Sequence, residues 1–251
     1  MHWDFFERLE DMTYDLRARA ALHFPSPVAT NLAFVTMDEA SIAAVKSGRL
    51  GYSYGLLWPR QVYGRLVEEL SAEGAKAIAF DVLFGGLRHD HPEVELANGT
   101  LMESDDFFAM QMRRAGNVII ATTPEVTPPA LFATNALALG DISNDKDSDG
   151  TLRRVEAFRT VRHWHPLFKE AATAFNLDLD RARITPQQII IPQTGSTNTV
   201  IVPIDAETNF ALADFVGDKL PPGLAPKARA FTDERVWHMG VVIAAQALHL
   251  D

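Results

Sequence analysis

The alternation of short apolar runs with amphipathic stretches constrains this chain more than any other feature. Asn31 to Met37, Ala77 to Leu83 and Asn117 to Thr122 are apolar and of strand length. After the first run, Val62, Tyr63, Leu66, Val67 and Leu70 form one apolar face at helical spacing. After the second, Ser104, Asp105 and Asp106 suit the N-terminus of another helix, with Ser104 as its cap. Pro59 stands where a helix can begin, and Gly74 and Gly116 stand where helices can stop. Strand–helix–strand–helix–strand predicts an α/β fold with a mainly parallel central sheet flanked by helices, because parallel neighbours need crossover connections.

The flanks add to this core. Residues 3–22 read as an amphipathic helix with Phe5, Leu9, Met12 and Leu16 on one face, ended by Phe24-Pro25-Ser26-Pro27. Residues 46–57, with Gly48, Gly51 and Gly55, and residues 85–103 read as loops. Beyond Pro128-Pro129, Ala130 to Leu139 reads as a short helix, Leu152 to Arg162 as an alternating strand and Leu167 to Phe175 as a helix. Gln188–Ile191 and Thr199–Ile204 predict an antiparallel C-terminal hairpin turning at Gly195-Ser196, and Lys219 to Ala230 a loop. Arg162-His163-Trp164-His165 and Arg235-Val236-Trp237-His238 recur at a spacing of 73, each followed by an Ala-Ala pair and a Leu-Asp pair. A duplicated helix-capping unit or chance similarity of two Ala-rich helices accounts for this. The chain stops within the second copy, so Asp251 reads as a cut end.

Composition narrows function by exclusion. The 251 residues carry a formal charge of −10, a poor match for phosphate backbones, so nucleic acid is not an expected partner. With no cysteine there is no disulfide, thiolate metal site or cysteine nucleophile. No run approaches the roughly 20 apolar residues that span a bilayer. Val241 to Leu250, the longest, is too short and carries Gln246 and His249. Residues 1–25 lack the apolar core of a signal peptide. No nucleotide-binding glycine motif or G-x-S-x-G is present, and no cofactor is called for.

Asp38 and Asp81 each close an apolar run, at the strand ends where parallel sheets open onto ligands. Arg60, after Trp58-Pro59, can reach the same edge and bind an anion or neutralise the acids. The plainer reading makes Asp38 a turn cap through Ser41 and Asp81 a structural partner of Arg60. A rival reading uses Asp38 and Asp81 to hold Mg²⁺ in a hydrolase. Asp145, Asp147, Asp149 and Gly150, with Glu156 behind, fit a calcium loop by spacing, but no helix enters it, and an Asp-Gly turn opening a strand accounts for it too. By strand alternation one of Arg153 and Arg154 can point inward to an acid such as Asp147 or Asp81 and the other to solvent, but solvated charges are the plainer account of both. The pairs His89/His91 and His163/His165 read as exposed, with no third zinc ligand.

Five motifs in order resemble the second CHASE family, the cyclase and histidine-kinase associated sensory extracellular domains. These are Glu10, Tyr14, Asp15 and Arg17; Asp38, Glu39 and Ser41; Trp58-Pro59-Arg60; Gly74, Ala75, Ile78, Phe80 and Asp81; and Asp147, Asp149, Gly150, Arg153 and Arg154. The resemblance covers residues 5–176 and leaves 177–251 as a C-terminal extension of a single sensory domain. It implies a non-catalytic input domain on the periplasmic or extracellular face of the cytoplasmic membrane, anchored through flanking segments and coupled to a kinase or nucleotide cyclase. An unknown small molecule is the implied ligand, with Asp38, Ser41, Arg60 and Asp81 as candidate contacts. The family fixes no ligand residue. Phe5, Leu9, Met12 and Leu16 can pack as ordinary scaffold or form a homodimer seam, and a dimerisation module without ligand is the third reading.

Overall fold

Apolar runs become strands only where a neighbouring ladder accepts their backbone N–H and C=O groups, and that requirement sorts the expected strands here. The computed structural model describes residues 4–24, 31–49, 54, 57–216, 223 and 225–250. The chain divides into two compact units, 1–57 and 58–251.

In the first unit, α1 (Asp4–Ala21) and α2 (Glu39–Lys46) are the helices. The expected N-terminal helix is present, and Leu9, Met12 and Leu16 on its apolar side are 44–60% exposed. The expected Pro25–Pro27 stop and the loop glycines Gly51 and Gly55 lie outside the described residues. Asn31 to Met37 is not the buried strand its apolarity predicts. Residues 32–38 have no regular structure, and Phe34 and Val35 are 81% and 66% exposed. Apolarity favours burial but supplies no ladder partner.

The second unit opens with α3 (Arg60–Ala72), β1 (Ile78–Phe80), β2 (Val94–Glu95), β3 (Leu101–Met102), α4 (Ser104–Ala115), β4 (Val118–Thr122), α5 (Ala130–Ala133) and β5 (Ala138–Asp141). The sheet is parallel, in the order β1-β4-β5. Its third strand therefore comes from Ala138–Asp141, within and beyond the stretch read as one helix; only Ala130–Ala133 is helical. Every residue of the central strand β4 is buried. Strand alternation sends Val118 and Ile120 to one face, with Tyr63, Val67, Phe80, Phe84, Phe108, Met112 and Phe132, and Ile119 and Ala121 to the other. Five of these rings meet at 5.0–6.1 Å, mostly edge to face.

The chain continues with β6 (Phe158–Trp164), α6 (Pro166–Phe175), β7 (Arg183–Ile184), β8 (Gln188–Pro192), β9 (Thr199–Pro203), β10 (Asn209–Ala211), α7 (Ala213–Val216), β11 (Lys227–Arg229), β12 (Phe231–Trp237) and α8 (Met239–Leu248). The strand expected from Leu152 starts only at Phe158. The expected hairpin is present as β8–β9, with β7 on its other side. Lys227–Arg229, expected in a loop, pairs with β10 instead. A second core forms from Phe168 of α6, Ile189, Ile191, Val202, Phe210 and Leu212.

The repeat is a structural unit in duplicate. Strands β6 and β12 pair antiparallel, with Trp164 opposite Phe231 and Trp237 opposite Phe158. In each copy the strand is followed by a histidine whose ring accepts the second following amide, His165 from Leu167 and His238 from Gly240. Each helix ends in a left-handed residue, Asn176 or His249. Helix α6 packs into the second core, whereas α8 covers the far face of the parallel sheet through Met239, Val242 and Ile243. Gly140 permits this approach, since a Cβ there would lie 2.8 Å from the Met239 backbone.

Candidate functional site

Helices α3 and α4 each run back against the strand that follows them, so both N-termini return to the carboxyl edge of the sheet, where ligands bind in open α/β folds. Pro59 offers α3 no side-chain cap. Ser104, expected to cap its own helix, instead accepts the Gln61 amide of α3 at 2.8 Å through its hydroxyl oxygen and ties the two N-termini together. The loop after β1 then closes over them.

Arg60, the first residue of α3, is 9% exposed. Its guanidinium lies 4.7 Å above the Phe84 ring and 5.9 Å from that of Phe132. Its Nη2 donates to the Gly86 carbonyl at 3.4 Å, the long limit of a hydrogen bond. Its Nε faces Asp105 Oδ1 at 3.7 Å, an ion pair without a hydrogen bond, and both atoms are buried. Asp105 is 4% exposed, and its other oxygen accepts the Arg88 amide at 2.5 Å. The Arg88 side chain turns away to grip Asp90 through two bonds of 2.7 and 2.8 Å. His91 is 9% exposed, and neither ring nitrogen has a partner; the buried Trp58 Nε1 has none either.

Charge is costly here. Burial pushes the Arg60 guanidinium below its ordinary value, opposed by Asp105. Burial likewise lowers His91, with Arg88 adding to the effect, and keeps its ring neutral at pH 7. The Arg88 fork holds Asp90 far below the usual carboxylate range. Unsatisfied buried polar atoms are rare in folded proteins, and five of the seven among the described residues belong to Trp58, Arg60, His91 and Asp105, the other two being Asn117 Oδ1 and Arg159 Nε.

The sequence-based candidates fall in both units. Arg60 is at the edge, but it pairs with Asp105 and not with Asp81. Phe80 points into the core beside α3, so alternation turns Asp81 the other way, and it is exposed. Asp38 and Ser41 belong to the first unit, where Asp38 caps α2; its Oδ1 accepts from the Ser41 amide at 2.8 Å and from its hydroxyl at 2.6 Å. Those bonds lower the Asp38 pKa. Asp105 and His91 were missed. Asp105 reads equally well as a first-turn acid favouring the helix dipole, and His91 lies in a polar stretch that reads as exposed.

The acidic turn is arranged differently. Arg153 is the inward arginine, with its side chain 5% exposed; Nη1 reaches Asp147 and Asp149 at 3.0 Å, and Nη2 reaches Asp149 at 2.7 Å. Arg159 lies 3.1 Å from Asp141, 3.0 Å from Asp145 and 3.9 Å from Glu156. Asp141, the last residue of β5, also accepts from the Ser143 amide and hydroxyl. The carboxylates spaced like a calcium loop are thus engaged by arginines. Among the described residues, no three His, Asp or Glu side chains form a group placed to hold a metal ion. His163 bonds Glu234, and His165 caps α6. A cleft of about 340 Å³ lies between Asp178 and Arg181 and the 193–197 turn, but Asp178 is occupied by the amides of Asp180 and Arg181.

Comparison with known families agrees with the motif order. The family model described as the CHASE2 domain matches residues 1–237, beyond the 5–176 span of the motifs, and the chain belongs to that family. CHASE2 domains are sensory extracellular domains of signalling receptors. No curated protein and no solved structure matches the chain. No helix among the described residues is long and apolar enough to cross a membrane.

Proposed function

We propose that this CHASE2 domain is the input module of a bacterial transmembrane receptor, sited on the periplasmic or extracellular face of the cytoplasmic membrane. It binds a small molecule and relays that event to a cytoplasmic kinase or nucleotide cyclase. The family match over residues 1–237 carries the reading. The under-satisfied edge around Arg60 supports it, because a ligand shifts an equilibrium by binding one state better than the other, and unpaired buried donors and acceptors are a source of that difference. Of the four candidate contacts, Arg60 and Asp81 lie in the unit that holds this edge. Asp38 and Ser41 lie in the first unit, where Asp38 caps α2, and enter the proposal as candidate contacts there. Helix α1, with Leu9, Met12 and Leu16 exposed, suits a signalling element or a homodimer seam.

The chain contains no cysteine, which makes siting directly testable. Glu68→Cys places a thiol on an exposed position of α3. In whole cells making the native protein, a membrane-impermeant maleimide should label this variant, and the unsubstituted protein sets the background. Labelling only after lysis would place the domain inside and end the sensory reading as stated.

A further inference from the structure

We infer that the Arg60–Asp105 edge is a binding site for the zwitterionic head of a free α-amino acid, held closed without ligand by the chain's own loop. The inference rests on the sensory reading above and adds the ligand class.

The loop after β1 presents two groups to the buried charges: the Gly86 carbonyl to Arg60 and the Arg88 amide to Asp105. A carbonyl oxygen is a weak stand-in for a carboxylate, and an amide N–H is a weak stand-in for an ammonium. One molecule that bears both charged groups two bonds apart replaces both loop contacts with charge-assisted bonds. Arg60 has the donors to receive a carboxylate, since its one loop bond is 3.4 Å long and its Nε donates to nothing. Asp105 has a free acceptor in Oδ1. The two residues already face each other at 3.7 Å, so a carboxylate on one and an ammonium on the other would be neighbours.

The surroundings fit. Arg60, Asp105 and His91 are each more than nine-tenths buried, and each carries an unpartnered polar atom. Neutral His91 offers one donor and one acceptor and repels neither charged end of the ligand. Arg60 and Asp105 are neutral as a pair, so a simple anion or a simple amine would bury one net charge there, whereas a zwitterion gives each residue a partner and adds no net charge. The loop's contacts to the two charges begin at Gly86, just beyond the fully buried Phe84, so in the ligand-bound state the segment from Gly86 onward lifts while the aromatic floor of Phe84 and Phe132 stays in place.

Isothermal titration of the full 251-residue chain tests this with three probe sets: the common L-α-amino acids, the matching monocarboxylates without the amine, and the matching amines without the carboxylate. The expected result is saturable binding of at least one amino acid, with its deaminated and decarboxylated partners at least about ten-fold weaker. Asp105→Asn keeps the acceptor for the Arg88 amide and should weaken amino-acid binding about ten-fold or more; His91→Gln serves as a second variant should the first fail to fold. Equal binding of the carboxylate alone, undiminished binding by both variants, or no amino-acid binding at all would overturn the assignment. The sensory reading fails separately. Surface labelling in whole cells with silent titrations would discard the ligand class alone, whereas labelling only after lysis would discard the siting whatever the titrations give.

Discussion

Two buried arginines in the second unit meet their acids in opposite ways. Arg153 reaches Asp147 and Asp149 in hydrogen bonds of 2.7–3.0 Å, within a turn closed by its own backbone. Arg60 meets Asp105 at 3.7 Å with no hydrogen bond, under a loop that offers it one long contact. The first arrangement is complete and has no reason to change. The second leaves desolvated charges that the fold alone does not answer, which makes it the better candidate for a site that responds. Ion pairs read only as opposite charges in proximity would count the two as alike.

The largest expected effect separates their surroundings. Phe84 is fully buried beneath Arg60, and Phe84→Ala should cost about 3–5 kcal/mol in urea unfolding. Leu152, beside Arg153, is 46% exposed, and Leu152→Ala should stay within about 0.5 kcal/mol. Comparable losses would mean that the Arg60 edge has no special floor.

Next in size is the coupling of the weak pair. Arg60→Met strands a buried carboxylate and should cost about 3 kcal/mol, whereas Arg60→Met with Asp105→Asn should recover more than half of that loss. Simple additivity would show that the two charges do not depend on each other.

Smaller still is the shared helix start. Ser104→Ala leaves the Gln61 amide without its acceptor and should cost about 1 kcal/mol. Helix α4 should remain intact, because the hydroxyl serves α3; loss of α4 amide protection alone would contradict the assignment.

The least effect is in pH dependence, where the two regions occupy different windows. His91 binds its proton less readily folded than unfolded. Its contribution is therefore complete above 6.5 and is lost as pH falls from 6.5 to its lowered folded value. Asp149, depressed by Arg153, contributes above its ordinary 3.8 and loses that contribution only as pH falls below it. Unfolding between pH 7.5 and 5.5 should show a decline that His91→Gln abolishes and Asp149→Asn does not. The reverse pattern would interchange the two descriptions.

Much of the fold was legible because local patterns set it: the helical faces of α1, α3 and α4, the stops at Gly74 and Gly116, and the β8–β9 hairpin all appear. The parallel sheet was legible in kind but not in membership. Asn31–Met37 has the apolarity of a strand without a ladder, whereas Ala138–Asp141 reads as the tail of a helix until β4 pairs with it. At the site, Arg60 was legible from its place after Trp58-Pro59. Asp105 was not, because an acid in a first helical turn carries the same sequence signal whether it faces solvent or a buried guanidinium. His91 depends on a loop folding back 31 positions along the chain from Arg60, and no local period encodes that return. The inward turn of Arg153 was not legible: two adjacent arginines after an acidic turn read first as solvated charges, and the alternation that could have chosen between them belongs to a strand that starts only at Phe158.

Hydrogen–deuterium exchange with and without the tightest-binding amino acid tests the central contrast most directly. The account predicts altered amide protection over residues 84–91 and the first turns of α3 and α4, with the 145–153 turn unchanged. Changes in the acidic turn with silence over 84–91 would contradict it, and the responsive site would have to be sought there.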